Sequence, residues 1–260
     1  MAGELAIREQ KYVYGEYLDV NIYPVFRTPK QGKRSIKRKP TREVQRALNK
    51  KNRANEVNRV IGSNFTNDDY YATLTYAGLP PTEEQVRRDV ENFLKRYGRA
   101  LEKKGIVLKW VKTIEIGSRG GRIHVHLVLT GGLTPKELQA LWGRGYVDCK
   151  PLMFDTNGVL ALSKYFCKDL RNEAGDGHRR KAWSCSRNCV HPQPKTNDYR
   201  YSRKKVAEIA REGQNCRALE KLYPGYICAY APEPFYNDDM GLYYLHLRFY
   251  RAGAKFDLRR

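Results

Sequence analysis

The chain has 260 residues, a formal net charge of +21 and a mean hydropathy of -0.72. No run approaches the roughly 20 apolar residues of a membrane-spanning helix, so a protein of that kind is excluded and no membrane partner is expected. There are 49 Lys and Arg residues against 28 Asp and Glu residues. That excess favours a polyanionic partner, most simply nucleic acid, although a ribosome-associated or merely basic protein would share it.

The N-terminus and the cysteine content predict the compartment. The first ten residues hold no basic region followed by an apolar core, so no secretory signal is expected. Six cysteines in 260 residues are too few for a dense disulfide framework. We therefore expect a protein of the reducing bacterial or host cytoplasm.

Residues 1–63 are predicted to be a basic N-terminal arm followed by a helix. Residues 1–40 show no regular pattern and are expected to be irregular, and Thr41 is a candidate cap for the helix. Residues 27–59 hold 13 Lys and Arg residues but only two acids, which suits contact with DNA phosphates. A solvated helix face is the alternative. Three of these cations are predicted DNA contacts: Lys37, Arg38 and Lys39.

Residues 64–172 are predicted to form a core in which strands and helices follow one another. Period-2 alternation or β-branched composition predicts strands over 70–78, 106–116, 123–129 and 146–152. Apolar residues at helical spacing predict helices that begin after a capping box at Thr82–Gln85, near Thr134 and near residue 157. The loop GSRGGR, residues 117–122, is predicted to be a hairpin turn.

The stretch GGRIHVHLVLTGG, residues 120–132, places two of the five histidines on alternate positions of a predicted strand. Side chains alternate between the faces of a strand, so His124 and His126 share one face and an apolar set occupies the other. A hairpin closed by the preceding loop pairs Glu115 with His124 and Thr113 with His126. Two imidazoles and a carboxylate could hold Mg²⁺ or Mn²⁺ with open positions, and Zn²⁺ fits the same ligands. Two solvent-facing histidines without a metal are the alternative.

The predicted helix over residues 157–170 carries Tyr165 at the edge of its buried stripe. The stripe consists of Val159, Leu162, Phe166 and Leu170. Lys168 follows Tyr165 by one turn on the outward side. A tyrosine in this position is ordinarily half buried, with its hydroxyl at the surface. Beside a metal it could instead attack a DNA phosphodiester, with Lys168 stabilising charge or positioning the phosphate.

The order of these motifs resembles that of the rolling-circle replication initiators of the HUH endonuclease family. The motifs are ATLTY (72–76), Glu115, GRIHVHLVL (121–129) and YFCK (165–168). In that family the first motif is a strand of the central sheet, the second binds the metal and the third carries the nucleophile. The resemblance implies a divalent metal, Mg²⁺ or Mn²⁺, with the ligands His124, His126 and Glu115. It also implies Tyr165 as the nucleophile and Lys168 as its partner.

Two further stretches, residues 141–152 and 181–194, look similar to initiators from small bacteriophages and from plasmids or integrated bacterial elements. Position 169 is Asp, so the third motif holds a single tyrosine, as in single-tyrosine initiators. Beyond the basic arm, the predicted DNA contacts are Arg119, Arg122 and Lys164.

Residues 173–260 are predicted to be a C-terminal extension packed on the core, with a long loop, a helix near 202–222 and two strands. The spacing of Cys185, Cys189 and His191 is looser than that of common zinc sites, so zinc binding there is left open. His246 is predicted to lie on the polar face of the last strand.

The predicted fold class is α+β, with a central, mostly antiparallel sheet of the HUH endonuclease and RRM or ferredoxin-like type. Helices are expected on one face and the active site on the other. The predicted function is nicking of one DNA strand at a replication origin, through a 5′-phosphotyrosine link that leaves a 3′ hydroxyl to prime synthesis. The sequence has no Walker-type motif, so a host helicase and polymerase are the expected partners, and no small-molecule substrate is expected.

Two other functions are compatible with the same residues. A relaxase or transposase would share the chemistry and differ in the element that it serves. A non-catalytic protein that binds single-stranded nucleic acid would need the basic charge and the aromatic residues, but no metal-binding face.

Overall fold

The computed structural model describes residues 4–27, 43–78, 81–116, 122–167, 183–212, 216–231, 234–237 and 241–256. The strands in these ranges are β1 Glu4–Tyr14, β2 Tyr17–Arg27, β3 Tyr70–Leu74, β4 Trp110–Ile116, β5 Ile123–Leu129, β6 Val147–Pro151, β7 Ser184–Cys185, β8 Lys195–Asn197, β9 Tyr226–Cys228, β10 Phe235–Asn237 and β11 Leu242–Arg251. The helices are α1 Glu43–Asn64, α2 Glu83–Glu102, α3 Pro135–Trp142, α4 Leu160–Phe166, α5 Arg203–Glu212 and α6 Cys216–Glu220. None of these helices is long and apolar enough to cross a membrane.

The chain divides into two compact units. The central unit comprises Lys50–Phe154 and Val159–Val190, and the terminal unit comprises Met1–Asn49, Asp155–Gly158 and His191–Arg260. Each unit contains one antiparallel sheet together with helices. The predicted α+β class is therefore confirmed, and the second sheet is a feature that the sequence patterns did not predict.

In the terminal unit the strand order is β10-β11-β2-β1-β8, with β9 also paired to β11. The first two strands form a long hairpin from the pair Glu4–Arg27 to the pair Tyr14–Tyr17. The expectation that residues 1–40 are irregular was therefore wrong for residues 4–27. The apolar residues of this hairpin pack against β11 and α5, which lie near the other end of the chain, so no local pattern indicated a buried face. Thr41 and the predicted DNA contacts Lys37, Arg38 and Lys39 lie outside the described residues.

A fully buried ion pair joins β2 to β11. Asp19 and Arg248 face each other in the strand register, and both side chains have no exposed surface. The Arg248 Nε and Nη2 atoms donate to the two carboxylate oxygens of Asp19 at 2.7 and 3.0 Å. The Tyr14 hydroxyl also donates to Asp19, at 3.2 Å. Such two-pronged, charge-assisted hydrogen bonds are strong and directional, so this pair fixes one strand against the other.

In the central unit the strand order is β6-β3-β5-β4-β7. β4 and β5 pair in the predicted register, with Glu115 opposite His124 and Thr113 opposite His126. The apolar face of this sheet packs against α2 and α3 in one core. Thr82 caps α2 as predicted, because its side chain accepts a hydrogen bond from the Gln85 backbone at 3.2 Å.

The second face of the central sheet is half covered. Apolar residues of α1 and α4 pack there against Val111 and Val128. The structure thus adds helices to part of the face that was predicted to carry only the site. α4 has described ends at Leu160 and Phe166, whereas the prediction ran from residue 157 to residue 170, and residues 168–170 lie outside the described part of the chain.

We expect Arg248→Met to lower the stability of the terminal unit by about 3–5 kcal/mol, because Asp19 would keep a buried charge without its partner. The double variant Asp19→Leu/Arg248→Met should recover most of this loss, since it buries no charge. Urea unfolding followed by far-UV circular dichroism measures the change. The three tryptophans, Trp110, Trp142 and Trp183, all belong to the central unit, so their fluorescence reports that unit separately. A double variant as unstable as Arg248→Met would contradict the role given to the ion pair.

Candidate active site

The uncovered part of the second face of the central sheet carries a compact polar cluster. Four strands and helices contribute to it: β3, β4, β5 and α4. Its members are Tyr71 and Thr73 from β3, Glu115 from β4, His124 and His126 from β5, and Tyr165 from α4. Strand alternation turns the residues of β3, β4 and β5 to this face, because their neighbours in sequence fill the core on the other side.

Tyr165 reaches this cluster from the helix side. Its hydroxyl donates to Glu115 Oε2 at 2.6 Å and lies 3.3 Å from His126 Nε2. The phenol and imidazole rings meet edge to face, with centroids 4.8 Å apart and an interplanar angle of 85°. The side chain of Tyr165 remains 38% exposed. Its hydroxyl is thus held by two groups of the sheet while the residue stays accessible from solvent.

His126 is the buried centre of the cluster, with only 4% of its surface exposed. Its Nε2 atom lies 3.0 Å from Glu115 Oε2. Its Nδ1 atom lies 2.9 Å from the Tyr71 hydroxyl and 3.1 Å from Thr73 Oγ1. Hydroxyl groups can donate or accept, so Tyr71 and Thr73 can satisfy either neutral tautomer of the ring. The orientation of the imidazole is therefore fixed, whereas the position of its proton is not.

Burial controls the charge of both central groups. Desolvation lowers the pKa of His126 below its usual value, and this outweighs the opposite effect of Glu115. Burial, followed by the hydrogen bond to Glu115, raises the pKa of the Tyr165 phenol. At neutral pH the arrangement consists of a neutral imidazole and a protonated phenol that donates to a carboxylate.

The structure brings together some of the predicted site residues and not others. Although Glu115 stands opposite His124 in register, its carboxylate reaches diagonally to His126. The ring of His124 is nearly parallel to that of His126, with centroids 6.3 Å apart. Among the described residues, no three or more His, Cys, Asp or Glu side chains are grouped closely enough to form a metal cluster.

The remaining predicted contacts differ in how far they can be placed. Arg122 and Lys164 are exposed, as DNA contacts would need to be. Lys168 and Arg119 lie outside the described residues.

The donor atoms at the centre of this cluster fit a divalent cation. A carboxylate oxygen and an imidazole nitrogen are common ligands of such ions, and Glu115 Oε2 and His126 Nε2 face each other at 3.0 Å. On the far side of the ring, Tyr71 and Thr73 hold Nδ1, which is the usual arrangement around a histidine that binds a metal. His124 lies on the same face as a further nitrogen donor.

The sequence patterns did not predict Tyr71 and Thr73 as parts of the site. Alternation in YYATLTY places Thr73 on the face opposite Leu74, and that was the available signal. The missing information was that β3 lies next to β5, with Thr73 directly opposite His126. A motif order does not reveal which strands are neighbours.

A sequence model of the replication-associated protein ORF2 family matches residues 69–170. This segment contains every member of the polar cluster, from Tyr71 on β3 to Tyr165 on α4. Comparison with curated proteins and with solved structures gave no match. The middle of the chain is therefore similar to replication-associated proteins.

We expect the double variant Tyr71→Phe/Thr73→Val to destabilise the central unit by about 1–3 kcal/mol, because it leaves His126 Nδ1 buried without a partner. Each single variant should cost less, since the other hydroxyl remains. Urea unfolding followed by tryptophan fluorescence measures these free energies, and ¹⁵N NMR of the histidine ring reports the tautomer. Strictly additive effects in the two single variants would show that the two hydroxyls do not share this nitrogen.

Proposed function

We propose that the central unit nicks one strand of DNA, with Tyr165 as the nucleophile, to initiate rolling-circle replication. The observation that carries this proposal is the convergence of Tyr165 Oη, Glu115 Oε2 and His126 Nε2 within 2.6 to 3.3 Å. A nucleophile within hydrogen-bonding distance of a proton acceptor, which is itself held by a third group, is the usual arrangement for covalent catalysis.

The reaction is a transesterification at phosphorus. Tyr165 Oη attacks the phosphorus of a phosphodiester, a bond forms between the phenol oxygen and phosphorus, and the bond from phosphorus to the 3′ oxygen breaks. The 3′ oxygen leaves and takes up a proton, which gives the 3′ hydroxyl. The 5′ phosphate stays on the protein as a tyrosine ester, so the number of phosphate ester bonds does not change.

Glu115 is the group nearest to the proton that Tyr165 must lose. The phenol donates to Glu115 Oε2 at 2.6 Å, within the distance at which a general base works. The raised pKa of the phenol keeps the proton on Tyr165 until a substrate is present, which limits unproductive ionisation. The 3.3 Å approach of Oη to His126 Nε2 offers a second acceptor.

A divalent cation, Mg²⁺ or Mn²⁺, would be held by Glu115, His126 and His124. When bound, it would polarise the scissile phosphate and stabilise the charge of the transition state. The protein's own contribution is to orient His126 through Tyr71 and Thr73 and to keep Tyr165 against the sheet. Lys168, by resemblance, would stabilise charge or position the phosphate beside Tyr165.

The role in replication is supported by the family match and by the charge of the chain. The matched segment is similar to replication-associated proteins, and a net charge of +21 favours a DNA partner. The exposed cations Arg122 and Lys164 are proposed to hold the backbone near the site. The basic segment with Lys37, Arg38 and Lys39, together with Arg119, is proposed to contact the origin, and a host helicase and polymerase would extend the 3′ end.

Tyr165→Phe should abolish the covalent protein–DNA product, because it removes only the attacking oxygen. Wild-type protein incubated with an origin oligonucleotide and Mg²⁺ should give a labelled band that survives denaturing electrophoresis and disappears after protease treatment. The phenylalanine ring keeps the edge-to-face contact with His126, so tryptophan fluorescence and oligonucleotide binding should stay unchanged. A covalent product from Tyr165→Phe would show that another residue is the nucleophile.

Removal of divalent ions with EDTA should stop nicking, and added Mg²⁺ or Mn²⁺ should restore it. His124→Ala should lower nicking at limiting metal by about 10- to 100-fold. His191→Ala, which alters an exposed histidine of the terminal unit, is the matched control and should nick normally. Full nicking by the chelated protein, or by His124→Ala, would contradict the metal assignment. Binding of single strands without any nicking would favour a non-catalytic binding protein.

A further inference from the structure

An exposed aromatic residue lies on the same sheet face as the polar cluster. Tyr146 directly precedes β6 and is 67% exposed. Its backbone continues the ladder with β3, because Thr75 N donates to the Tyr146 carbonyl at 2.9 Å. Since Thr73 pairs with both Asp148 and His126, the next row of this face contains Tyr146, Thr75 and His124. Glu115 completes that row opposite His124.

The turn before Tyr146 is built so that its backbone cannot shift. Gly145 presses on β3 so closely that an added Cβ would lie 2.4 Å from the Thr75 carbonyl oxygen. Thr75 Oγ1 accepts from Tyr146 N at 3.2 Å and donates to its carbonyl at 3.0 Å. The indole of the buried Trp142 donates to the Thr75 carbonyl at 2.8 Å, which holds the other side of the contact. Tyr146 is therefore an exposed side chain on a fixed backbone.

The ring of Tyr146 has no hydrogen bond and no aromatic partner among the described residues. An aromatic ring that is held rigidly but left uncovered offers contact area at little cost in conformational entropy. Its position relates it to the candidate active site. Neighbouring strands are about 4.8 Å apart, so the Tyr146 and His124 backbones, two strands apart, are separated by about 10 Å.

We propose that Tyr146 is a stacking platform for one nucleobase of the single-stranded substrate, one or two nucleotides from the bond that is cut. The choice of single-stranded DNA rests on the proposed function and on the net charge of +21, which favours a polyanionic strand. A base can stack on this ring only when it is unpaired, because duplex DNA keeps its bases covered. The stacking would hold the strand in position while Tyr165 and Glu115 act on the phosphate.

This contact should behave differently from the contacts made by cations. Binding through Lys and Arg releases counterions and weakens steeply as salt rises. Stacking of a base on an aromatic ring tolerates any base and involves no charge. A change at Tyr146 should therefore alter affinity by the same factor at low and at high salt.

The test uses the full chain carrying Tyr165→Phe, which binds but does not nick. Fluorescence anisotropy compares a labelled dT strand of about 12 nucleotides, within the range that one such site covers, with an abasic strand of equal length, at two salt concentrations. Tyr146→Ala should weaken binding of the dT strand about 5- to 150-fold and leave binding of the abasic strand unchanged. Tyr146→Phe should bind as the parent does, because the ring remains. Tyr199→Ala, which removes an 84% exposed tyrosine of the terminal unit, is the matched control and should have no effect.

Several results would overturn the stacking proposal. Unchanged dT binding by Tyr146→Ala would show that no base contacts this ring. An equal loss on the dT and the abasic strands would place a backbone contact there instead. A change in sedimentation of Tyr146→Ala, with normal DNA binding, would identify the ring as a contact between copies of the chain. Because this assay needs no cleavage, its failure is distinct from a failure of the nicking assays.

Discussion

The antiparallel register of β4 with β5 is the constraint on which the candidate site depends. It turns Glu115, His124 and His126 to one face of the central sheet. A slip of one residue would turn one strand's members of this set to the opposite face. The slip is prevented by the alternating apolar residues of β5, which are buried under α2 and α3. The packing that stabilises the central unit therefore also fixes its chemistry.

Burial of His126 links the stability of the site to its geometry. A buried imidazole is costly unless both nitrogens have partners, and here hydroxyls satisfy one nitrogen while Glu115 faces the other. α1 and α4 cover the neighbouring row of the same face, and α4 brings Tyr165 onto the cluster. The uncovered remainder of the face is where a strand of DNA would lie, between Tyr165 and the fixed ring of Tyr146.

The terminal unit follows the same rule of a polar pair that fixes a strand register. Asp19 and Arg248 are 229 residues apart in the chain, yet they meet directly across β2 and β11. Any shift of β11 along β2 would leave two buried charges without partners, a state that costs several kcal/mol, about 3–5 by comparison with other buried pairs. Hydrophobic packing alone, from residues that are similar in size, would specify this register less sharply.

The sequence by itself determined the β4–β5 hairpin, its register, the cap of α2 and the place of Tyr165 at the edge of its helix. These features follow from alternation, turn composition and helical spacing, which act over a few residues. Tertiary structure alone decided that β3 would bring Tyr71 and Thr73 beside His126, that Glu115 would reach His126 rather than His124, and that residues 4–27 would form strands. Each of these depends on which distant segments share a buried surface, and a local pattern carries no information about its distant partners.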